Sequence, residues 1–191
     1  HILITGGLGY IGSHTCVSLI ENGYSPVIID NLSNSKYGII HSIESITGVK
    51  PLLYIGDIRD KRDIERVFNE CQISAIIHFA SLKSVSESQR RPLSYFDNNV
   101  LSLINLIDIA EKHNCSNMIF SSSCTVYGEA VKSPVDESFK IQNPKSPYGR
   151  TKIIGEQILF DCFKTSIKSV VLRYFNPIGA HESGELGELP N

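Results

Sequence analysis

A chain of 191 residues is long enough to bury one full core and to begin a second domain. Its formal charge of -2 lacks the basic excess that nucleic-acid binding needs, and no apolar run reaches the length of a membrane span. Cys16, Cys71, Cys115, Cys124 and Cys162 are scattered without a C-x-x-C pair and the histidines show no metal spacing, so we expect a reduced, metal-free cytoplasmic protein without a signal peptide.

Short apolar runs alternate with helical segments, the pattern of a parallel sheet covered by helices on both faces. His1 leads directly into the first strand, Ile2–Thr5, which implies that a residue or two is missing from the start. That strand runs into Thr5-Gly6-Gly7-Leu8-Gly9-Tyr10-Ile11-Gly12, which satisfies G-x-G-x-x-G through Gly7, Gly9 and Gly12, and G-x-x-G-x-x-G through Gly6, Gly9 and Gly12. Glycines there permit a tight turn and let a cofactor pyrophosphate approach the backbone at the start of a helix predicted over 11–22. The second strand, Val27–Asp30, ends in an acid 18 residues after Gly12. A carboxylate at that place accepts hydrogen bonds from adenosine ribose hydroxyls and repels a 2′-phosphate, which favours NAD over NADP.

A helix over 37–47 leads to the third strand, Leu52–Ile55, and to Gly56-Asp57-Ile58, where Asp57 reads equally as an adenine contact or as a surface-turn acid. After a helix over 61–71, the fourth strand, Ala75–Phe79, delivers Phe79-Ala80-Ser81-Leu82-Lys83 to the crevice. Lys83 either neutralises phosphate there or is a solvated surface lysine. One helix is predicted over 93–113. The fifth strand, Met118–Ser122, closes on Ser121-Ser122-Ser123, where a hydroxyl can hydrogen-bond a substrate alcohol and relay its proton. Two of those three serines can equally be ordinary strand-ending residues. Residues 129–147, with Pro134, Pro144 and Pro147, read as a long loop of the functional or mobile kind.

The helix predicted over 148–165 opens with Tyr148 and Lys152, and of the eight tyrosines only Tyr148 has a lysine four residues on. That spacing puts both side chains on one helix face. The ammonium there is expected to stabilise a phenolate and lower the tyrosine pKa from its reference value of about 10, giving a base for alcohol oxidation. The sixth strand is Ser169–Tyr174, and residues 179–191 look like a chain cut in mid-course. Six strands in this alternation fit an α/β, doubly wound parallel sheet of Rossmann type, with ligands beyond the carboxyl ends of the strands.

With Gly6–Gly12, Ser123, Tyr148 and Lys152 in order, the chain resembles the extended short-chain dehydrogenase/reductase family, and within it the UDP-glucose 4-epimerases. The resemblance is carried by Thr5–Thr15, Asp30–Ser35, Ile77–Ser88, Ser121–Gly128 and Leu172–His181 and runs along essentially the whole chain. Leu82-Lys83 and Leu172–His181 separate the epimerases from sugar-nucleotide dehydratases.

The resemblance implies NAD contacts from Gly6, Gly9, Tyr10, Ile11, Gly12, Asp30, Asn31, Leu32, Ser33, Asn34 and Ser35. It implies further contacts from Asp57, Ile58, Phe79, Ala80, Ser81, Leu82, Lys83, Asn98, Tyr148, Lys152 and Phe175, with Tyr174 beside the nicotinamide. Tyr148 resembles the catalytic base, Lys152 the residue that holds the nicotinamide ribose, and Ser123 the hydroxyl bridging substrate and base; Asn176 would touch the UDP-sugar. The implied reaction removes the 4-hydroxyl proton and a hydride from C4, turns the 4-keto sugar about its diphosphate link, and returns the hydride to the opposite face. The helices at 93–113 and 148–165 would also form a homodimer's four-helix bundle.

Ser81, Ser84, Ser86 and Cys124 depart from the glycine or alanine usual in the family, and the chain stops where the family's substrate domain begins. Residues 1–176 are therefore read as the NAD-binding domain with the catalytic residues, and 177–191 as the start of a truncated substrate domain. Two other readings are a non-catalytic NAD-binding module and a dehydratase. The second is disfavoured because Cys124-Thr125 stands where an acid pair would be needed.

Overall fold

The computed structural model describes residues 1–129 and 133–188, so the predicted loop at 129–147 and the tail at 179–191 each lie partly outside the described residues. The first half alternates β1 (Ile2–Thr5), α1 (Tyr10–Glu21), β2 (Pro26–Asp30), α2 (Ile39–Thr47), β3 (Leu52–Ile55), α3 (Lys61–Glu70) and β4 (Ala75–His78). The second half holds α4 (Val85–Arg90), α5 (Pro92–Phe96), a π-helical turn (Asp97–Leu101), α6 (Ser102–Lys112) and β5 (Asn117–Ser123). A 3-10 turn (Cys124–Tyr127), α7 (Pro147–Cys162) and β6 (Lys168–Tyr174) complete it.

The strands form one sheet in the order β3-β2-β1-β4-β5-β6, and every neighbouring pair is parallel. This is the expected doubly wound sheet. Its order reverses between β1 and β4, and a crevice opens there beyond the carboxyl ends of the strands. The alternation of side chains along β1 builds the two layers. Leu3 joins a core with Ile64 and Val67 of α3, Leu103 and Leu106 of α6 and Leu159 of α7. Ile4 points the other way, into a core with Cys16 and Val17 of α1 and Ile40 and Ile43 of α2.

The helix expected over 93–113 runs without a gap from Pro92 to Lys112, with the π-helical turn inside it, and α4 precedes it unforeseen. Pro92 starts α5 after Arg91 has left the helical region (φ −132°, ψ 56°), because proline lacks the N–H that a continuing helix needs. The signal for α4 was present as Ser84-x-x-Glu87, a capping pattern in which Ser84 accepts a hydrogen bond from the Glu87 N–H at 3.2 Å. The π-helical turn changes what its asparagines reach: the side-chain oxygens of Asn98 and Asn99 both accept from the Leu82 N–H, at 3.1 and 2.8 Å. Asn99 also donates to the Leu82 carbonyl and to Thr151 of α7, each at 3.0 Å. Other boundaries fall within a few residues of expectation, with β4 ending at His78 and β5 extending through Ser123. Among the described residues no helix is long and apolar enough to cross a membrane, and no group of His, Cys, Asp and Glu side chains could hold a metal ion.

Candidate cofactor and catalytic site

A cleft of about 470 Å³ opens at the switch point, within the range of small-ligand sites. One end is formed by the glycine loop. Gly6 has φ +69°, and a β-carbon on it would stand 2.8 Å from the Ala80 nitrogen, so β1 and the β4 loop can approach only with glycine there. At Gly12 a β-carbon would fall 2.3 Å from the Gly6 carbonyl oxygen. Helix α1 begins immediately afterwards, and no side chain caps it at Gly9. Its first-turn N–H groups and positive dipole end therefore face the cleft, the arrangement that takes a phosphate.

Asp30 is buried at the end of β2. One carboxylate oxygen accepts from the Leu8 N–H at 3.0 Å; the other accepts from the Leu32 N–H at 2.9 Å and the Ser35 hydroxyl at 2.7 Å. It thus ties the glycine loop to the 30–35 loop. Of the expected cofactor contacts only Leu32 is not part of the cleft wall. Its side chain packs on the α1/α2 core, and only its backbone is tied to Asp30.

Asp57 does line the cleft beside Asn31, whose amide donates to it at 3.0 Å. Arg59, which the sequence reading missed, clamps the same carboxylate through Nε at 3.0 Å and Nη2 at 2.7 Å and holds its pKa down at about 2. The third guanidinium nitrogen reaches Asp97 at 2.9 Å, joining the β3 loop to the π-helical turn. Lys83 sits exposed on the rim and pairs with Glu188 at 2.9 Å, so it is not a lone solvated lysine. Of the departures, Ser81 lines the cleft, Ser84 caps α4, Ser86 is exposed within 3.3 Å of the Ser84 hydroxyl, and Cys124 lines the wall beside Ser123.

The other end of the cleft collects Ser123, Tyr148, Lys152, Tyr174, Phe175 and Asn176. Proline at the first helical position and Ser146, which accepts from the Gly149 N–H at 3.1 Å, start α7 so that Tyr148 and Lys152 share one face. Ser123 is buried and accepts from the Thr125 N–H at 3.2 Å and its hydroxyl at 3.0 Å, capping the 3-10 turn. Of the three serines, Ser121 offers its carbonyl to Lys152, Ser122 turns into the core toward Glu156, and Ser123 faces the cleft.

The tyrosine pKa runs opposite to expectation. Burial pushes Tyr148 up, and the hydrogen bond with Ser123 is what pulls it down. Lys152 is almost wholly buried; its ammonium donates to the Ser121 carbonyl at 2.8 Å and lies 5.8 Å from the Tyr148 ring centre. Desolvation lowers its own pKa to about 7, which weakens the field it was expected to exert. His78, buried beneath, bonds Thr5 Oγ1 at 2.7 Å and is pushed down to about 3 by burial and by Lys152, so it stays neutral.

Fold and site together define a doubly wound domain with a dinucleotide-type cleft and a serine–tyrosine–lysine cluster. A sequence profile described as GDP-mannose 4,6 dehydratase matches residues 3–189, and the chain belongs to this extended short-chain dehydrogenase/reductase family. It is 52% identical to the UDP-glucose 4-epimerase of Yersinia pestis over all of its own length and 57% of the relative's. It is 50% identical to that of Schizosaccharomyces pombe over 99% of the chain and 55% of the relative. Among solved structures, the Stenotrophomonas maltophila UDP-glucose 4-epimerase with bound NAD and formylated UDP-arabinopyranose superposes with a TM-score of 0.96 at 44% identity, over 100% of this chain and 57% of that one. The Bifidobacterium longum enzyme in complex with NAD+ and UDP gives 0.96 at 46% identity, over 98% and 56%. The chain therefore spans a little over half the length of these relatives.

Proposed function

We propose that this chain is the cofactor-binding and catalytic part of an NAD-dependent enzyme that inverts C4 of a UDP-hexose, interconverting UDP-galactose and UDP-glucose. The observation that carries the reading is the gathering of Ser123, Tyr148 and buried Lys152 in the wall of a dinucleotide-type cleft, with Tyr148 and Lys152 on the same face of α7. Relatives that share about half of its residues bear the epimerase name, and similar structures carry NAD with a UDP-sugar or UDP.

The residues present fit NAD. The uncapped start of α1 suits its pyrophosphate, and the Asp30 carboxylate suits ribose hydroxyls and opposes a 2′-phosphate. NAD, when bound, supplies the acceptor and donor for the C4 hydrogen. Ser123 orients the sugar 4-hydroxyl toward Tyr148, which takes its proton as a phenolate that the Lys152 ammonium and the positive charge of bound nicotinamide would stabilise against the burial that raises its pKa. The Lys152 ammonium, anchored on β5, holds the nicotinamide ribose. After the 4-keto sugar has turned about its diphosphate link, so that C4 presents its other face, Tyr148 returns the proton to the 4-oxygen. Asn176 touches the sugar nucleotide.

Residues 1–176 form the cofactor domain in this reading, and 177–191 begin a substrate domain that completes the UDP pocket. Val170 and Leu172 of β6, 57% and 38% exposed, offer that domain an apolar face. The protein works in the cytoplasm as a homodimer paired through α6 and α7, where Ile104, Ile154, Phe160 and Phe163 are exposed.

The test is product analysis after UDP-galactose is supplied to the intact protein. UDP-glucose supports the reading. A dehydrated 4-keto product would install the dehydratase, for which Cys124 and Thr125 supply no acid pair. Bound NAD without any turnover would leave a cofactor-binding module.

A further inference from the structure

Four elements carry the side chains of the catalytic end: β5 with Ser123, the 3-10 turn that Ser123 caps, α7 with Tyr148 and Lys152, and β6 with Tyr174. One charged cluster behind them touches all four. Glu156 of α7 receives a two-pronged bond from Arg173 of β6, with Nε to Oε1 at 3.0 Å and Nη2 to Oε2 at 2.8 Å. The Ser122 hydroxyl of β5 donates to the same Oε1. The remaining guanidinium nitrogen donates to the Tyr127 hydroxyl of the 3-10 turn at 3.0 Å, and the guanidinium carbon lies 5.0 Å from the Tyr127 ring centre.

Each member sits next to, or one helical turn from, a residue of the cleft wall. Ser122 precedes Ser123, Arg173 precedes Tyr174, and Glu156 follows Lys152 by one helical turn. The sheet prepares the arrangement, because Ser122 and Arg173 are direct register partners across β5 and β6 and so present the same face to α7. Apart from the Lys152–Ser121 hydrogen bond, the rest of that interface is largely apolar and close: a β-carbon on Gly155 would meet the Phe120 ring at 2.6 Å. Such contact fixes how near the helix lies but resists sliding and rotation weakly. A planar guanidinium fork on a carboxylate has a fixed distance and angle, and only 20% and 10% of the Arg173 and Glu156 side chains are exposed to competing water.

We propose that Glu156 and Arg173 are positioning residues that set the axial and rotational register of α7 against β5 and β6, so that Tyr148 stands opposite Ser123. The inference rests on the catalytic reading of those two residues. It assigns the pair no contact with substrate.

The experiment uses the intact protein and measures UDP-galactose turnover per NAD-loaded site, the primary deuterium isotope effect with substrate deuterated at C4, and the melting temperature. The variants are Glu156→Gln, Arg173→Lys and the apolar triple Ser122→Ala/Glu156→Leu/Arg173→Met. A displaced base slows chemistry, so kcat per loaded site is expected to fall at least about tenfold with KM within about twofold, and the isotope effect to rise. A purely structural role would lower the number of working sites while leaving the isotope effect of the survivors unchanged. If the single variants do not fold, the triple decides, since it leaves no buried charge unpaired. Wild-type kcat per loaded site with an unchanged isotope effect, in the triple or in either folded single variant, overturns the proposal. Absence of turnover in the wild type would instead remove the catalytic reading beneath it.

Discussion

Lys152 Nζ donates to the Ser121 carbonyl at 2.8 Å and stands 5.8 Å from the centre of the Tyr148 ring, so β5 anchors the cation that underlies the tyrosine. The two side chains share a helix face as their spacing requires. Burial nevertheless governs both: it raises the phenol's pKa and lowers the ammonium's.

Tyr148→Phe removes the proposed proton acceptor while keeping the ring packed against Tyr95, 6.5 Å away between centres. Epimerisation of UDP-galactose by the intact protein is expected to fall by roughly 10² to 10⁴-fold, the usual contribution of general acid–base catalysis, with NAD still bound. Full activity in this variant would remove Tyr148 from the mechanism.

Lys152→Met removes a buried cation whose pKa lies at about 7 in the folded chain against 10.5 ordinarily. Below about pH 7 the folded state holds the charge and bears the whole desolvation cost. Between about 7 and 10.5 the folded lysine has lost the proton that the unfolded one keeps, so wild-type stability rises with pH across that window. The methionine variant is thus expected to be inactive, to melt higher than wild type at neutral pH, and to lose that advantage toward pH 10. Melting curves across this range check the sign.

Gly12→Ala places a methyl group where the Gly6 carbonyl already lies 2.3 Å from the ideal β-carbon position. The glycine loop must open to admit it, which spoils the start of α1 as an anion site. NAD affinity is expected to drop by at least about tenfold, read by cofactor fluorescence or by co-purified NAD.

Asn99→Ala empties a buried position that satisfies the Leu82 N–H and carbonyl and the Thr151 hydroxyl. Two elements of the cofactor wall lose their link to α7, and a destabilisation of about 1–3 kcal/mol is expected from urea unfolding. Asn98 still reaches the Leu82 N–H at 3.1 Å, which keeps the effect from being larger.

Arg59→Ala releases Asp57, whose pKa is held down at about 2 by the guanidinium. A lowered carboxylate pKa contributes stability above its unfolded value near 4, and that contribution is lost as pH falls through the folded value. Wild type should therefore be the more stable above about pH 4, with the two proteins converging toward pH 2. A constant gap over that interval would contradict the clamp.

Much of this protein was legible in one dimension because its signals are local. Apolar runs of strand length, the glycines between Gly6 and Gly12, the acid at Asp30 and the i, i+4 pair Tyr148 and Lys152 are each set by neighbours within a few residues. The alternation of strand and helix then leaves a parallel, doubly wound sheet as the way to bury both faces. Local signals thus determined the fold class and the place of the cleft, and the family resemblance implied most of the residues in its wall. The tertiary structure decided what depends on distant partners. It set a π-helical turn inside the 93–113 helix, turned Leu32 away from the cleft, and gave Asp57 to Arg59 and Lys83 to Glu188. It also brought Glu156, Ser122 and Arg173 together and set the direction of the Tyr148 pKa. Desolvation and side-chain pairing arise only when separate elements pack, and neither the burial of a charge nor its partner is written in the residues beside it.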